Sequence, residues 1–374
     1  MSSTGILPIR PNVRRMQPYV PGKPIDEVRR ELGLERVTKL ASNENPYGPS
    51  PKAIAAVAEA AKGMHVYPDG AAFALRRALG EHHGVPMERI VVGNGSDELI
   101  HLLGLVLMDR PEDELMMGDP SFSRYDASAH LAAAKLVKVP LDAEYRHDLD
   151  AMAAAVTPST RMVFVANPNN PTGTIVRRPE LEAFLDRIPP NVVVVLDEAY
   201  FEFAEPVEGY PSSLDYLDRP NVVGLRTFSK TYGLAGIRVG YGFFPAELAD
   251  AMHRAREPFD CNALAQAAAI AALGDREHIA RTVAGNTRGL ARLSEIVRSV
   301  GATPVESHAN FLLADFGRPA HPIFEALLQK GVIVRSGAGL GVPNCLRISV
   351  GTEEEIAHFG AALGDVLEPA SVPA

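Results

Sequence analysis

In the stretch RTFSKTYGLAGIRVG, residues 226–240, Lys230 sits among hydroxyl, small and apolar side chains, and the 374-residue chain holds only eight lysines. In water a lysine is a solvated cation. Among apolar neighbours it sheds its proton near neutrality and becomes an amine nucleophile. A second ionisable group stands in an unusual place: Asp197 ends the apolar run VVVVL. A carboxylate there costs desolvation free energy unless a positive partner or hydrogen-bond donors meet it. A protonated pyridine nitrogen would be such a partner.

Other polar residues suit the rest of a phosphorylated aromatic ligand. Tyr200, three residues past Asp197, can offer a phenol to a ring oxygen. Asn170 in NPNNPTG can offer an amide to the same oxygen, although an asparagine there serves a turn equally well. Gly93, Gly95 and Ser96 precede a helix, so backbone N–H groups and the helix dipole face outward and can hold a phosphate. A plain N-cap by Ser96 or Asp97 is compatible with that role. The Asp97 carboxylate would repel a phosphate, so only its backbone is placed against one. Phe122, after GDPS, is a flat apolar ring that by itself is more often core than a ligand platform. Arg238, between Gly236 and Gly240, carries a fork that can grip a phosphate through two N–H groups.

The elements that must position these residues are short apolar runs: 89–92, 114–117, 135–139, 162–166, 192–196 and 222–225. Alanine- and leucine-rich segments with helical spacing separate most of them, as at 97–108, 124–134 and 179–187. Buried strands alternating with helices predict a parallel sheet covered on both faces. Ligands of such sheets lie beyond the carboxyl ends of the strands. Five of the runs lead directly into GNGSDEL, GDPSFSRY, NPNNPTG, DEAY and RTFSK, which together make one site. After about residue 275 a long helical segment (276–300) and the runs ANFLLADF, GVIVRS and CLRISVG predict a smaller α+β unit. The expected class is therefore α/β. A large domain (46–275) carries a mostly parallel sheet covered by helices. A smaller α+β domain (276–374) follows, and a proline-rich arm (1–45) precedes both.

Composition narrows the function. A formal charge of -9 argues against nucleic acid, whose phosphates need a basic face. The basic residues Arg10, Arg14 and Arg15 in the arm are a local exception. Cys261 and Cys345 have neither disulfide-framework nor zinc spacing, so no metal is expected. The arm lacks a signal-peptide core and no apolar run reaches membrane-spanning length, which predicts a cytoplasmic protein with no membrane partner. GxxxxGK[ST], GxGxxG in a strand-to-helix context and GxSxG are all missing, against a P-loop, a dinucleotide site and a hydrolase elbow.

The motifs SNENPYGPSP, YPDG, GNGSDELI, NPNNPTGT, LDEAYFEF, RTFSKTYGLAGIRVGYG, ANFLLADF and LRISVGT run nearly end to end. On them the chain resembles the fold-type-I pyridoxal-phosphate aminotransferases, of the class II group. Within these it looks like the branch acting on histidinol phosphate with 2-oxoglutarate. An aromatic-amino-acid aminotransferase and a phospho-amino-acid decarboxylase of the same fold are the alternatives. The resemblance implies pyridoxal 5'-phosphate as cofactor and Lys230 as the Schiff-base lysine that also shuttles the Cα proton. It implies Asp197 on the ring nitrogen, Tyr200 and Asn170 on the ring oxygen and Phe122 stacked on the ring, a position where relatives often carry tyrosine. Gly95, Ser96, Asp97 through its backbone, Thr227, Ser229 and Arg238 would surround the phosphate. Tyr67 would reach the partner's cofactor across a homodimer. Arg347 would take the substrate carboxylate or the hydroxymethyl end of histidinol phosphate, and Arg335 a distal phosphate. Tyr19 and Asn43 would line the substrate pocket. The partners implied are a small amino donor and a 2-oxo acid acceptor.

Overall fold

The structure, a computed structural model, describes residues 7–18 and 22–367. A two-residue strand β1 (Thr38–Lys39) is followed by seven strands that form the main sheet. These are β2 (Ile90–Gly93), β3 (Glu114–Asp119), β4 (Lys135–Pro140), β5 (Thr160–Ala166), β6 (Val193–Asp197), β7 (Val222–Thr227) and β8 (Gly240–Phe243). Their order is β2-β8-β7-β6-β5-β3-β4. Every pairing is parallel except the two made by β8.

Successive side chains of a strand point to opposite faces, and both faces of this sheet are buried. Leu115, Met117, Phe164, Val195, Val223 and Leu225 pack on one face with residues of helices Ser96–Leu107 and Ser123–Ala132. Met116, Val163, Val165, Val194 and Leu196 pack on the other with Leu181, Phe184 and Leu185 of helix Arg178–Leu185. That two-sided burial is why the runs read as continuously apolar rather than alternating.

Strand β8, GYGF, was not among the expected strands because half of it is glycine. The glycines answer to close approach. A Cβ on Gly240 would land on the Ser96 backbone nitrogen, and one on Gly242 would lie 2.8 Å from the Gly224 carbonyl. The strand therefore brings Arg238, just before it, up against the start of helix Ser96–Leu107.

Helix Arg276–Ser299 leads into a four-stranded antiparallel sheet of order β12-β13-β10-β9. Its members are β9 (Thr303–Pro304), β10 (Phe311–Asp315), β12 (Arg335–Ser336) and β13 (Cys345–Ser349), and β11 (Val332–Ile333) pairs instead with β1 in parallel. The segment after residue 37 thus joins the smaller sheet's layer before entering the main domain. Leu40 shares a core there with Leu312, Leu346, Ile348 and Phe359. No helix among the described residues is long and apolar enough to cross a membrane.

Candidate active site

Lys230 follows the end of β7 in a tight turn. Gly233 N–H donates to its carbonyl at 3.0 Å, and the neighbouring rings of Phe228 and Tyr232 pack 4.7 Å apart in the core. The turn is pinned by apolar burial on both sides, so the lysine stem has little choice of direction. Burial pushes its ammonium pKa down to about 8, helped by the Arg347 and Arg238 guanidiniums and opposed by Asp97 and Glu44. At pH 7 roughly one molecule in ten then holds a neutral amine. The amine lies 5.8 Å from the centre of the Tyr200 ring.

Asp197 closes the adjacent strand and is 4% exposed. Burial raises its carboxyl to about 6, with Asp97 and Glu198 adding to the rise; the Tyr125 hydroxyl and the Ala199 N–H oppose it. Those two groups donate to Oδ2 at 2.7 Å and Oδ1 at 3.1 Å. Immediately behind, Arg226 Nε meets Glu198 Oε2 at 2.8 Å with both side chains buried, and its guanidinium lies 3.4 Å above the Phe201 ring. Ser213 completes the carboxylate through its N–H and hydroxyl. A buried pair satisfied to this degree fixes the ends of β6 and β7, although it contributes little net stability.

Tyr200 gathers the smaller sheet onto the larger one. Its phenol oxygen accepts from the Asn43 amide at 3.0 Å and the Asn170 amide at 3.4 Å. Asn170 Oδ1 accepts from Arg347 Nη1 at 2.6 Å, and Arg347 Nη2 donates to the Ala41 carbonyl at 2.9 Å. Two residues along β13, the Ser349 hydroxyl donates to Asn43 Oδ1 and accepts from the Asn43 N–H. Asn43 has φ 54°, a left-handed conformation that asparagine tolerates better than most residues. A closed ring of contacts therefore joins Arg347, Asn170, Tyr200, Asn43 and Ser349.

On the far side of Lys230 lies a cluster of donors. Ser229 N–H donates to Thr227 Oγ1 at 3.1 Å, and the Thr227 hydroxyl donates to Ser229 Oγ at 3.0 Å. Arg238 holds Ser229 Oγ at 3.5 Å and the Ala235 carbonyl at 3.0 Å. Its Nη2 lies 3.5 Å from Asp97 Oδ2, so the carboxylate that was awkward in the sequence is engaged by a guanidinium. Gly95 has φ 83°, and a Cβ there would come within 2.5 Å of Arg238 Nη2. The first turn of helix Ser96–Leu107 opens here, and its N–H groups favour an anion.

The remaining expected residues are placed as follows. Phe122 is half-buried and meets Tyr125 edge-on at 5.7 Å. Arg335 stands directly across from Arg347 in the β12–β13 pairing. Tyr67 is 81% exposed and stacks on Phe259 at 4.8 Å. Tyr19 lies outside the described residues. Sequence reading missed Tyr125, Ser349 and the Arg226–Glu198 pair. For Tyr125 a signal existed: it lies three residues past Phe122, and that spacing on a helix puts both on one face.

A depressed lysine, a buried carboxylate and a cluster of phosphate-type donors fit a flat ligand that carries an aldehyde, a basic ring nitrogen and a phosphate. Comparison with known proteins agrees. The family model for aminotransferases of class I and II matches residues 35–363. A histidinol-phosphate aminotransferase from Moorella thermoacetica is 48% identical over 360 residues, 96% of this chain and 92% of that protein. One from Carboxydothermus hydrogenoformans, named histidinol-phosphate aminotransferase 2, is 48% identical and covers 96% of this chain and 99% of its own. Among solved structures, histidinol-phosphate aminotransferase from Sinorhizobium meliloti in complex with pyridoxal-5'-phosphate superposes with a TM-score of 0.90. It is 29% identical and covers 98% of this chain and 99% of its own.

Proposed function

Because the chain belongs to the class I and II aminotransferases, we propose that it transaminates L-histidinol phosphate with 2-oxoglutarate, a step of histidine biosynthesis, using pyridoxal 5'-phosphate. The observation that carries the reading is the pairing of Lys230 and Asp197 on adjacent strand ends, each pushed towards its neutral form by burial. Relatives of that name at 48% identity, matched over nearly their whole length, support the substrate.

Bound there, pyridoxal phosphate supplies an aldehyde that takes up the amino group and a ring that accepts the electron pair left at Cα. Lys230 supplies a neutral amine near physiological pH and carries the proton from Cα. Asp197 keeps a positive charge on the ring nitrogen, the condition for the ring to accept electrons. Tyr200 and Asn170 would hold the ring oxygen, Phe122 would hold the ring, and Gly95, Ser96, Thr227, Ser229 and Arg238 would hold the phosphate. Arg347 takes the substrate carboxylate, or the hydroxymethyl end of histidinol phosphate, and Asn43 holds Tyr200 in place. Arg335 lies across from Arg347 in the β12–β13 pairing and would take a second, distal anion of the substrate. Tyr67 belongs to a homodimer in this reading, supported by the exposed run Met64, Val66, Tyr67 beside Phe259. Buried free thiols at Cys261 and Cys345 suit a reducing cytoplasm.

The test is Arg335→Ala with a substrate panel. Truncating one partner of a charge-assisted contact costs about 2 kcal/mol or more, roughly thirtyfold. That loss in kcat/KM is expected for histidinol phosphate and not for phenylalanine or tyrosine. Equal losses on all three would reject the distal-anion role. A wild-type preference for the plain aromatic amino acids would reject the substrate.

A further inference from the structure

Asp197 is held by a phenol to which the reading above gives no task. Tyr125 is 1% exposed and its hydroxyl donates to Asp197 Oδ2 at 2.7 Å. Its ring lies parallel to Phe164 of β5 at 4.1 Å, while Phe122 meets it edge-on at 5.7 Å. The helix that carries it is tied down as well: the Ser128 hydroxyl donates to the Ile100 carbonyl at 2.9 Å, and Ser128 packs against Gly104. Stacked on one ring, flanked by another and anchored through its helix, Tyr125 is aimed at the carboxylate by rigid elements.

The charges around Asp197 make that bond matter. Asp97 on helix Ser96–Leu107 and Glu198 next in the chain are like charges, and Glu198 is engaged by Arg226 of β7. Further titratable groups on neighbouring elements are the phenols of Tyr200 and Tyr210, Lys230 just past β7, and His147, whose ring meets the Ala166 carbonyl beside Asp197. Against burial and these anions stand the Tyr125 hydroxyl and the Ala199 N–H. Removing the hydroxyl leaves one carboxylate oxygen buried without a donor, and an unsatisfied buried charge is costly.

We propose that Tyr125 is a positioning residue whose buried hydroxyl holds the Asp197 carboxylate ionised and fixed in direction for a positively charged ring nitrogen. The proposal rests on the cofactor assigned above. Burial beside Asp197 keeps the phenol's own pKa well above the ordinary tyrosine range, so it remains a donor at working pH.

The experiment is equilibrium dialysis of pyridoxal phosphate onto cofactor-free full-length protein from pH 5 to 9. It compares wild type, Tyr125→Phe and Tyr125→His, and is repeated with 1-deazapyridoxal phosphate, whose ring carries carbon in place of nitrogen. Wild-type affinity for pyridoxal phosphate is expected to fall on acidification as Asp197 takes up a proton. In Tyr125→Phe the midpoint moves up by about one pH unit, which weakens binding about tenfold at pH 5, below both midpoints, and about twofold at pH 7. Tyr125→His restores a donor and most of the affinity. The deaza compound, with no charge for Asp197 to meet, binds wild type and Tyr125→Phe equally. That equality also shows the variant to be folded. An unmoved midpoint in Tyr125→Phe overturns the proposal. So does equal weakening for both compounds, the mark of a packing role alone. Failure of wild type to bind pyridoxal phosphate would instead overturn the cofactor assignment.

Discussion

Removing the Lys230 charge should stabilise the cofactor-free protein, and by an amount the site geometry sets. The folded chain holds this ammonium at a pKa of about 8 against 10.5 for a free lysine side chain. The difference corresponds to about 3 kcal/mol at 1.36 kcal/mol per pKa unit. A small residual exposure of the side chain makes this an upper bound, and screening brings the expected range to about 1–3 kcal/mol. The unfolded chain binds this proton more tightly, so the native state is penalised fully below pH 8. The penalty fades as pH rises towards 10.5 and is absent above it. Lys230→Met keeps a side chain of similar length and removes the charge. At pH 7 its thermal midpoint should lie a few degrees above that of wild type, both freed of cofactor. The gap should close by about pH 10.5. Scanning calorimetry in a pH series measures the difference directly, and every other titrating group cancels between the two proteins. A gap that does not change with pH would refute the reasoning, because it would show that the burial of Lys230 carries no electrostatic cost.

Asp197 carries the opposite sign. Its carboxyl, raised to about 6 in the folded chain, makes cofactor-free stability fall as pH rises from about 4 to 6. Asp197→Asn should flatten that fall in a thermal series while slowing transamination by several orders of magnitude, and an unchanged slope would count against the buried carboxylate. For the proposed homodimer, light scattering should give twice the chain mass of 40.2 kDa, and Tyr67→Phe should retain pyridoxal phosphate less tightly. A monomer with full activity would reject a shared site.

The sequence made the main sheet legible because its strands are buried on both faces and each run ends abruptly in polar residues. Lys230 and Asp197 were visible for the same reason: a charge that terminates an apolar run has to meet something. What could not be read was whatever depends on packing between distant segments. Ser349 meets Asn43 across 306 positions, and no local pattern announces that contact. Tyr125 looked like one more apolar residue of an alanine-rich helix. Its role appears only once that helix is laid over β5 and β6. Strand β8 was hidden by glycines whose need is set by Ser96 and Gly224, both remote in sequence.

The two ionisable groups that carry the proposed chemistry are also where the folded chain spends stability. Lys230 is pushed down and Asp197 up, so both are driven towards neutrality by the same burial. Each effect is at most about 3 kcal/mol, still a sizeable part of the 5–15 kcal/mol that holds a typical domain together. Strand neighbours do not offset this by pairing with each other. Asp197 takes its donors from Tyr125 and Ala199, and the strongest charged neighbour of Lys230 is the Arg347 guanidinium, ahead of the Asp97 and Glu44 carboxylates. A direct ion pair between them would relieve both groups at once, and would leave neither a neutral amine nor a carboxylate ready for a ligand cation. Separate partners keep both functions available. The Arg347–Asn170–Tyr200–Asn43–Ser349 ring and the Arg226–Glu198 pair then hold the strained ends in place, one from the smaller sheet and one from behind. On this argument the rigidity of the surroundings is what lets two unfavourable protonation states persist side by side.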